Sequence, residues 1–540
     1  DHAPGETLPA EDGHAVIPQA AHTHGFYWSE MKGAAGGMST ADSFYNDQGV
    51  LIVSNSCVDS KEDPEDASRL SEGGIGFNLR RDMAERATSA RHAVEIGVEM
   101  LERYGYVSSG RSYTCADADE AWMLQVVSGR HYAARRVGDR EAAFIPNYYT
   151  IHEIDFDDRE NFIVSPDLVE YARKKGWYDP SQGAFDFARA YQAEKDWMGP
   201  GNVYRSAAGY SILTRSPYWR EDRYPFAVAP KKPVAVEQVM EILRCYYEGS
   251  FLDPAWARMQ FPGGAPHDTE IRRICTGTTM ESSVTVFGER DRPETTTMWL
   301  CAGRPSELPY LPFHPFCGVP AALDSMGDEA PALLAVHCRP DAEIATWRDN
   351  GWQKMRDFQN LFELVFQQHH DEHERWLWSY ENTLARSESE LQARAATLHD
   401  RARAVTLLSE RDEAVAAQAL RDLAEQQKNL RPVAVSAFPA AAAMDSAEEI
   451  EFGFALTDGR IPAEGSLLLT LGGTNARLMG IRPVAGSLRA DGGRWTVRVK
   501  AVDLQKAGVP GTFDYWLGGR DQWGRSFGGR VFFTFTEPTA

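Results

Sequence analysis

Between residues 341 and 430 this chain almost stops using glycine and proline, although its 540 residues contain 45 Gly and 29 Pro. A stretch of that length without backbone breakers folds as long helices or does not fold at all. Within it, Phe358, Leu361, Phe362, Val365 and Phe366 recur at helical spacing, so one face is apolar. Two or three long helices are expected over 341–433. The block also divides the chain. Before it, residues 1–340 mix short strands, helices, glycines and aromatics. After it, residues 434–540 read as short alternating strands with Gly and Asp-Gly turns, as in "EEIEFGFALTDGR" and "GRWTVRVKAVDL". The C-terminal block is expected to be a β-sandwich accessory domain entered through the linker "AFPAAAAMDSAEE".

The totals exclude several classes. No apolar run reaches the roughly 18 residues of a membrane span. A formal net charge of −22 repels phosphate backbones, so no nucleic-acid partner is expected. The seven cysteines (57, 115, 245, 275, 301, 317 and 338) are odd in number and widely spaced. That argues against a disulfide framework or a zinc ribbon and for mostly buried thiols.

The first block has clear local patterns. "DSFYNDQGVLIVSNS" reads as strand, turn, strand. "RRDMAERATSARHAVEIGVEMLERYG" reads as one amphipathic helix with Val94, Val98 and Leu101 on a face and a stop at Gly105. "YTCADADEAWMLQVVSGRHYAARRVGDREAAFIPNYYTI" reads as a three- or four-strand antiparallel meander, with turns at 118–119, 128–129 and 138–139. Helices follow at "SPDLVEYARKKGW" and "FDFARAYQ". Sheets layered with helices give an α+β class.

Four stretches, in order, carry a resemblance. They are "FYNDQGVLIVSNS", "GGIGFNLRRDMAERATSARHAVEIGVEMLERYG", "ADEAWMLQVVSGRHYAARRV" running on to "AAFIPNYYTIHEIDF", and "HDTEIRRICTGTTMESSVTVF" followed by "LPYLPFHPFCGVP". Together they resemble the dipeptidase A and secernin family of N-terminal-nucleophile (Ntn) cysteine hydrolases, over residues 1 to about 430. That family is similar to penicillin V acylase and bile salt hydrolase. The resemblance implies an Ntn-hydrolase αββα sandwich over 1–340, with the helical segment packed on it or serving oligomer contacts. It implies a dipeptidase acting on short peptides, with no cofactor and no metal. In such enzymes an N-terminal cysteine thiolate attacks the amide carbonyl. The chain's own α-amine, with a pKa near 8, acts as base, and backbone and Asn donors hold the oxyanion.

Residue by residue, the resemblance implies that Asn55 in "VSNSC" contributes its backbone N–H to the oxyanion hole and that Asn147 in "IPNYY" contributes its side-chain amide. It implies a supporting role for Arg205 in "NVYRSAAGYSIL", with Arg273 in "IRRICTG" as a rival. Asp1 and His2 match the end of an Arg-Asn-x-Asp-His-like motif, where the aspartate contacts the catalytic amine and thiol. His2, with His22 and His24 in "HTHGFYW", is expected to line a substrate cleft. No Cys, Ser or Thr stands at residue 1. The nucleophile is therefore expected about twenty residues upstream of Asp1, where this chemistry places its free amine, on a precursor trimmed to expose it. Taken alone, this stretch of chain is expected to be inactive. An acylase of the penicillin V or bile salt type and a catalytically inactive binding protein are the alternatives. Export to the periplasm or outside the cell is expected, with a cytoplasmic site as the alternative.

One further motif competes. "HHDEH" fits the H-x-x-E-H pattern of inverted zinc peptidases through His369, Glu372 and His373. Yet His370, Asp371 and Glu374 continue the polar run onto other faces, as on a solvated helix. "GGTNARLMG" and "GGIGFN" lack the strand–loop–helix setting of a phosphate loop.

Overall fold

The computed structural model describes residues 1–538 apart from 9–14, 35–37, 57–58, 62–72, 77–78, 251, 254–264, 266, 268–271, 325–348, 473–479 and 506–507. Cys57 and Cys338, and most of "GGTNARLMG", lie outside the described residues.

Helices and sheets are both present, an α+β chain. Seven strands form one antiparallel sheet in the order β1 (Phe26–Ala34), β2 (Met38–Asn46), β3 (Leu51–Ser56), β4 (Tyr106–Ala116), β5 (Ala121–Gly129), β6 (Tyr132–Arg136), β8 (Phe162–Val164). The alternation of strand side chains divides its faces. Phe44, Ile52, Tyr113, Cys115, Trp122, Leu124 and Val126 pack against α1 (Leu79–Arg86) and α2 (Ala90–Tyr104). Where the sequence suggests one helix, there are two. The Ser89 side chain accepts from the His92 N–H and starts α2 afresh. Gly105, at φ 78°, ends it with its N–H on the Leu101 carbonyl.

On the opposite face, Met123, Val127 and Ala133 pack with Tyr149, Ile151, Phe187 and Tyr191. These come from residues 149–151 and from two short helices, α3 (Leu168–Lys174) and α4 (Phe187–Tyr191). The meander therefore contributes three strands, β4 to β6. The expected fourth strand leaves the sheet: β7 (Ala142–Ala143) pairs instead with β9 (Ala227–Val228), and β8 takes the place beside β6. Pro146 lacks a ladder N–H, which suits a segment turning away from the sheet.

Tyr45, on that same opposite face, reaches a second sheet, β10 (Ser282–Val286), β11 (Thr297–Cys301) and β12 (Leu311–Phe313). Its hydroxyl is 2.8 Å from Thr296 Oγ1, and its ring meets Phe316 at 6.1 Å. Behind the second sheet lie α7 (Gly351–Ala396) and α8 (Arg401–Asn429). They pack Phe358, Leu361, Phe362, Val365, Val415 and Ala419 onto Trp299, Leu311 and Phe313. Two further helices, α5 (Pro200–Thr214) and α6 (Val236–Arg244), lie between the sheets in sequence. The breaker-free block thus resolves into a helical hairpin. Asn350 caps α7 and Asp400 caps α8, each accepting backbone N–H groups.

The C-terminal residues form two four-stranded sheets around a core of their own. One runs β13 (Val435–Phe438), β15 (Glu449–Phe454), β18 (Arg494–Lys500), β17 (Arg489–Asp491). The other runs β14 (Ala441–Ala443), β20 (Ser526–Thr536), β19 (Gly511–Arg520), β16 (Leu468–Leu471). The stretch expected as an entry linker, residues 437–449, takes in the end of β13 and all of β14, one strand in each sheet. This unit seats on α7 through glycine: a Cβ on Gly518 or Gly528 would lie 2.5 or 2.7 Å from the Leu364 side chain. Arg530 pairs with Asp357 beside that contact.

A buried ionic knot ties the helical hairpin to the second sheet. His314, just after β12, places Nδ1 2.8 Å from Asp412 Oδ1 on α8 and Nε2 3.0 Å from Glu388 Oε1 on α7. Burial alone would depress its pKa, but the hydrogen bonds from Asp412 and Glu388 outweigh that and lift it to about 9. A histidine held protonated this way contributes stability that is full below its unfolded pKa near 6.5. That contribution declines as pH rises through about 9. His314→Gln should therefore lower urea-unfolding stability at pH 6 by about 3–5 kcal/mol, since it removes the cation from between two buried carboxylates. The gap between wild type and variant should narrow by pH 9.5. A gap independent of pH would contradict the protonated state.

Candidate functional site

β3 alternates Ile52 and Ser54 toward the helices, and Ser54 Oγ accepts Arg80 Nη1 at 2.9 Å. Asn55 therefore faces the other way. Its Nδ2 donates to the Pro146 carbonyl at 2.5 Å, which brings it to the segment that carries Asn147. Asn55 lies two residues past the Ser43↔Val53 pair of β2 and β3 and stands opposite Ser112 of β4.

Asn147 is held on three sides. Its backbone N–H donates to Asn202 Oδ1, and Asn202 Nδ2 donates back to the Asn147 carbonyl, both at 3.1 Å. From one turn further along α5, Arg205 donates Nη1 to Asn147 Oδ1 at 2.8 Å, Nη2 to Asn202 Oδ1 at 2.7 Å and Nε to the Gly201 carbonyl at 2.8 Å. The guanidinium fork thus orients two carboxamides at once. Because Arg205 donates to Asn147 Oδ1, that atom is the carbonyl oxygen, and the N–H donors occupy the other edge of the amide. Burial, then the charge of Arg272, lowers the Arg205 pKa to about 10, so it remains a cation at neutral pH.

Three of the expected residues, Asn55, Asn147 and Arg205, therefore meet. Asn202 joins them and was not anticipated. The available indication was its place three residues before Arg205 at the start of a helix opened by Pro200. Arg273 is buried, donating to the Tyr246 carbonyl and stacking over Tyr247.

Asp1, His2, His22 and His24 are elsewhere. The N-terminal segment is anchored on the helix-covered side of the sheet by Leu8, Ala15 and Ile17 in the core of α1 and α2. The His24 N–H donates to the Glu85 carbonyl. Asp1 Oδ1 meets His22 Nδ1 at 3.0 Å in solvent. His2 meets Glu6 and Thr23, and His24 meets Asp47 at the turn before β3. That turn is at the end of β3 opposite Asn55, roughly four residues or about 13 Å away along the strand. Among the described residues, no contact joins these four to the asparagines. The expected grouping of Asp1 and the three histidines with the oxyanion donors is thus corrected: core packing of Leu8 and Ile17 decides where the segment lies.

The H-x-x-E-H zinc reading is also not assembled. His373 is buried, with Nε2 2.7 Å from the Glu307 carbonyl and its ring against Phe362. Burial pushes its pKa down to about 4, which marks a neutral core histidine. Glu372 is exposed on another face.

The pattern that defines peptidase family C69 matches residues 24–332. The chain belongs to peptidase family C69. A C69 relative, "Probable dipeptidase B" of Streptococcus pyogenes serotype M3, is 27% identical over 285 residues, which cover 50% of this chain and 55% of that protein. "Probable dipeptidase" of Salmonella dublin is 25% identical over 52% of this chain and 60% of its own. "Probable dipeptidase A" of Streptococcus pyogenes serotype M3 is 23% identical over 66% and 73%. The chain spans little more than half the length of the first of these curated relatives. Among solved structures, penicillin V acylase from Agrobacterium tumefaciens gives a TM-score of 0.15 at 15% identity, over 24% of this chain and 47% of the acylase. The C69 match contains Asn55, Asn147, Asn202 and Arg205 and stops before the helical hairpin.

Burial governs the thiols. It raises Cys115 and Cys317 to about 12 and Cys245 and Cys275 to about 11, and lifts Cys301 well above 9. None of these five is a thiolate nucleophile at neutral pH. Iodoacetamide at about pH 7.5 should therefore leave all five unmodified in the native protein and label them after urea, read by peptide mass spectrometry. Rapid native labelling of any of them would contradict their assignment as core thiols.

Proposed function

We propose that this C69 chain is the body of a dipeptidase that cleaves short peptides with a free amino end. In this reading its N-terminal cysteine nucleophile sits on a segment preceding Asp1. The layered helices and sheets of residues 1–340 are read as an Ntn αββα sandwich, with the α7–α8 hairpin packed on it as an extension. The C-terminal pair of sheets is read as an accessory β-sandwich, with boundaries near 340 and 433. The observation that carries the reading is the Arg205 fork on Asn147, an oriented carboxamide beside the end of β3.

The cysteine thiolate attacks the scissile carbonyl carbon, and the carbonyl π electrons move onto oxygen. Asn147 Nδ2 and the Asn55 backbone N–H donate to that oxyanion. The tetrahedral intermediate collapses by breaking the C–N bond. The leaving amine takes the proton that the α-amine had removed from the thiol. Water then attacks the thioester and releases the acyl product as a carboxylic acid. Arg205 and Asn202 position Asn147 and do not touch substrate. Asp1, His2, His22 and His24 take no part in this scheme. Export and homo-oligomerisation belong to the same proposal, and cytoplasmic residence is the alternative location.

The test is hydrolysis of unblocked dipeptides by the chain extended to include the upstream cysteine. Activity should be lost to iodoacetamide and retained with chelator. Asn147→Ala should lower kcat by about 10²–10³-fold with KM nearly unchanged. Arg205→Lys should lower kcat by roughly tenfold or more, because a lysine cannot fork onto two amides. Activity that survives alkylation, or an Asn147→Ala enzyme with normal kcat, would remove the cysteine and oxyanion assignments.

A further inference from the structure

Away from Asn147, α7 carries a second polar cluster. His370 and Glu374 are one helical turn apart and share a face. The chain after α6 brings Glu248 to them from 122 residues away in sequence. Tyr247, at φ 74°, makes the turn that sets Tyr246 and Glu248 on its two sides. His370 Nε2 lies 2.7 Å from Glu248 Oε2 and 3.9 Å from Glu374 Oε2. One ligand atom from each residue falls within 4.8 Å of the other two. Among the described residues, this is the one group of three His, Cys, Asp or Glu side chains with that property.

The imidazole is held in place. Its ring stacks on Phe366 at 4.8 Å and 9°, and the Tyr246 hydroxyl is 3.0 Å from Nε2. Tyr246 also donates to Glu248. Glu248 and Glu374 line one side of a hollow of about 670 Å³, with Tyr246, Arg244 and Trp378 around it. An ion held by the three side chains would therefore face open volume on its remaining side.

We propose that Glu248, His370 and Glu374 form a three-ligand site for a zinc-class divalent cation, with its fourth position open to this hollow. The donor set selects the metal. One imidazole nitrogen and two carboxylate oxygens match the one-nitrogen-or-more, mixed N/O preference of zinc at bond lengths near 2.0–2.2 Å. Adjacent ligands around such an ion stand roughly 3.3–3.5 Å apart, between the two contacts His370 already makes. Calcium takes six to eight oxygen ligands, and magnesium prefers carboxylates and waters to an imidazole nitrogen. Binding replaces the proton on Nε2 by the metal, leaves Nδ1 as the N–H, and releases any second proton to solvent. The site is distinct from the H-x-x-E-H set, whose His373 is spent in the core. It ties the segment after α6 to α7.

The experiment is calorimetric titration of the metal-stripped full chain with Zn²⁺, repeated in millimolar Mg²⁺, with Co²⁺ absorption as an independent readout of ligand geometry. The expected result is one Zn²⁺ per chain at micromolar affinity or better, undisturbed by Mg²⁺. His370→Ala should abolish this binding, and Glu374→Gln should weaken it by roughly tenfold or more, while His369→Ala leaves it unchanged. Glu374 is solvent-accessible, so its variant keeps the test valid if His370→Ala fails to fold. Absence of stoichiometric binding, or binding that neither variant alters, would overturn the proposal.

Discussion

The half-buried Arg205 guanidinium is held by three oxygens. It takes one from Asn147, one from Asn202 and one from the Gly201 backbone. Removing any of these acceptors leaves the charge short of a partner, which costs more than the bond itself contributes. The cation therefore fixes α5 against the 145–149 segment. The Pro146 carbonyl in turn fixes Asn55 at the end of β3. One desolvated charge sets the geometry of the two asparagines on which the proposed chemistry relies.

The scaffold behind that cluster is stiffened in the same way. Arg244 on α6 pairs with Glu381 on α7 at 2.5 Å, and Arg304 reaches Glu307 and Glu363, both at 2.8 Å. With His314, Glu388 and Asp412, these pairs pin the second sheet to the helical hairpin at several heights. Such buried pairs contribute little net stability compared with apolar packing, but each is strongly directional, so a slipped helix register would strand charges. Apolar packing of the Phe358–Phe366 face supplies the bulk attraction. The C-terminal unit then docks on the same helix, where Gly518 and Gly528 leave room for Leu364.

Much of this organisation is legible in the sequence because it rests on local patterns. The near absence of Gly and Pro marks the α7–α8 hairpin, and Asn-Asp-Gln-Gly marks the β2–β3 turn. The break between α1 and α2 was also written locally, in the Ser89 cap, but the continuous apolar spacing around it suggested one helix. Pro146 likewise indicated that the fourth meander strand would not stay in the sheet. What local patterns could not carry are pairings across long separations. Asn147 meets Asn202 and Arg205 only through the fold, and Glu248 meets His370 only because α6 runs beside α7. The N-terminal segment is the instructive failure. The motif match at Asp1 and His2 implied a catalytic end, while Leu8 and Ile17, two ordinary apolar residues, pack the segment on the helix side of the sheet.

The proposed chemistry requires Asn147 and Asn55 to face a developing oxyanion. The most direct measurement is a crystal structure of the chain extended upstream to include the proposed cysteine, with that thiol trapped as the tetrahedral adduct of a dipeptide aldehyde. The account predicts the adduct oxygen at about 2.7–3.1 Å from both Asn147 Nδ2 and the Asn55 backbone nitrogen, with the Arg205 fork intact. An adduct oxygen held by other groups, with Asn147 remote from it, would contradict the account.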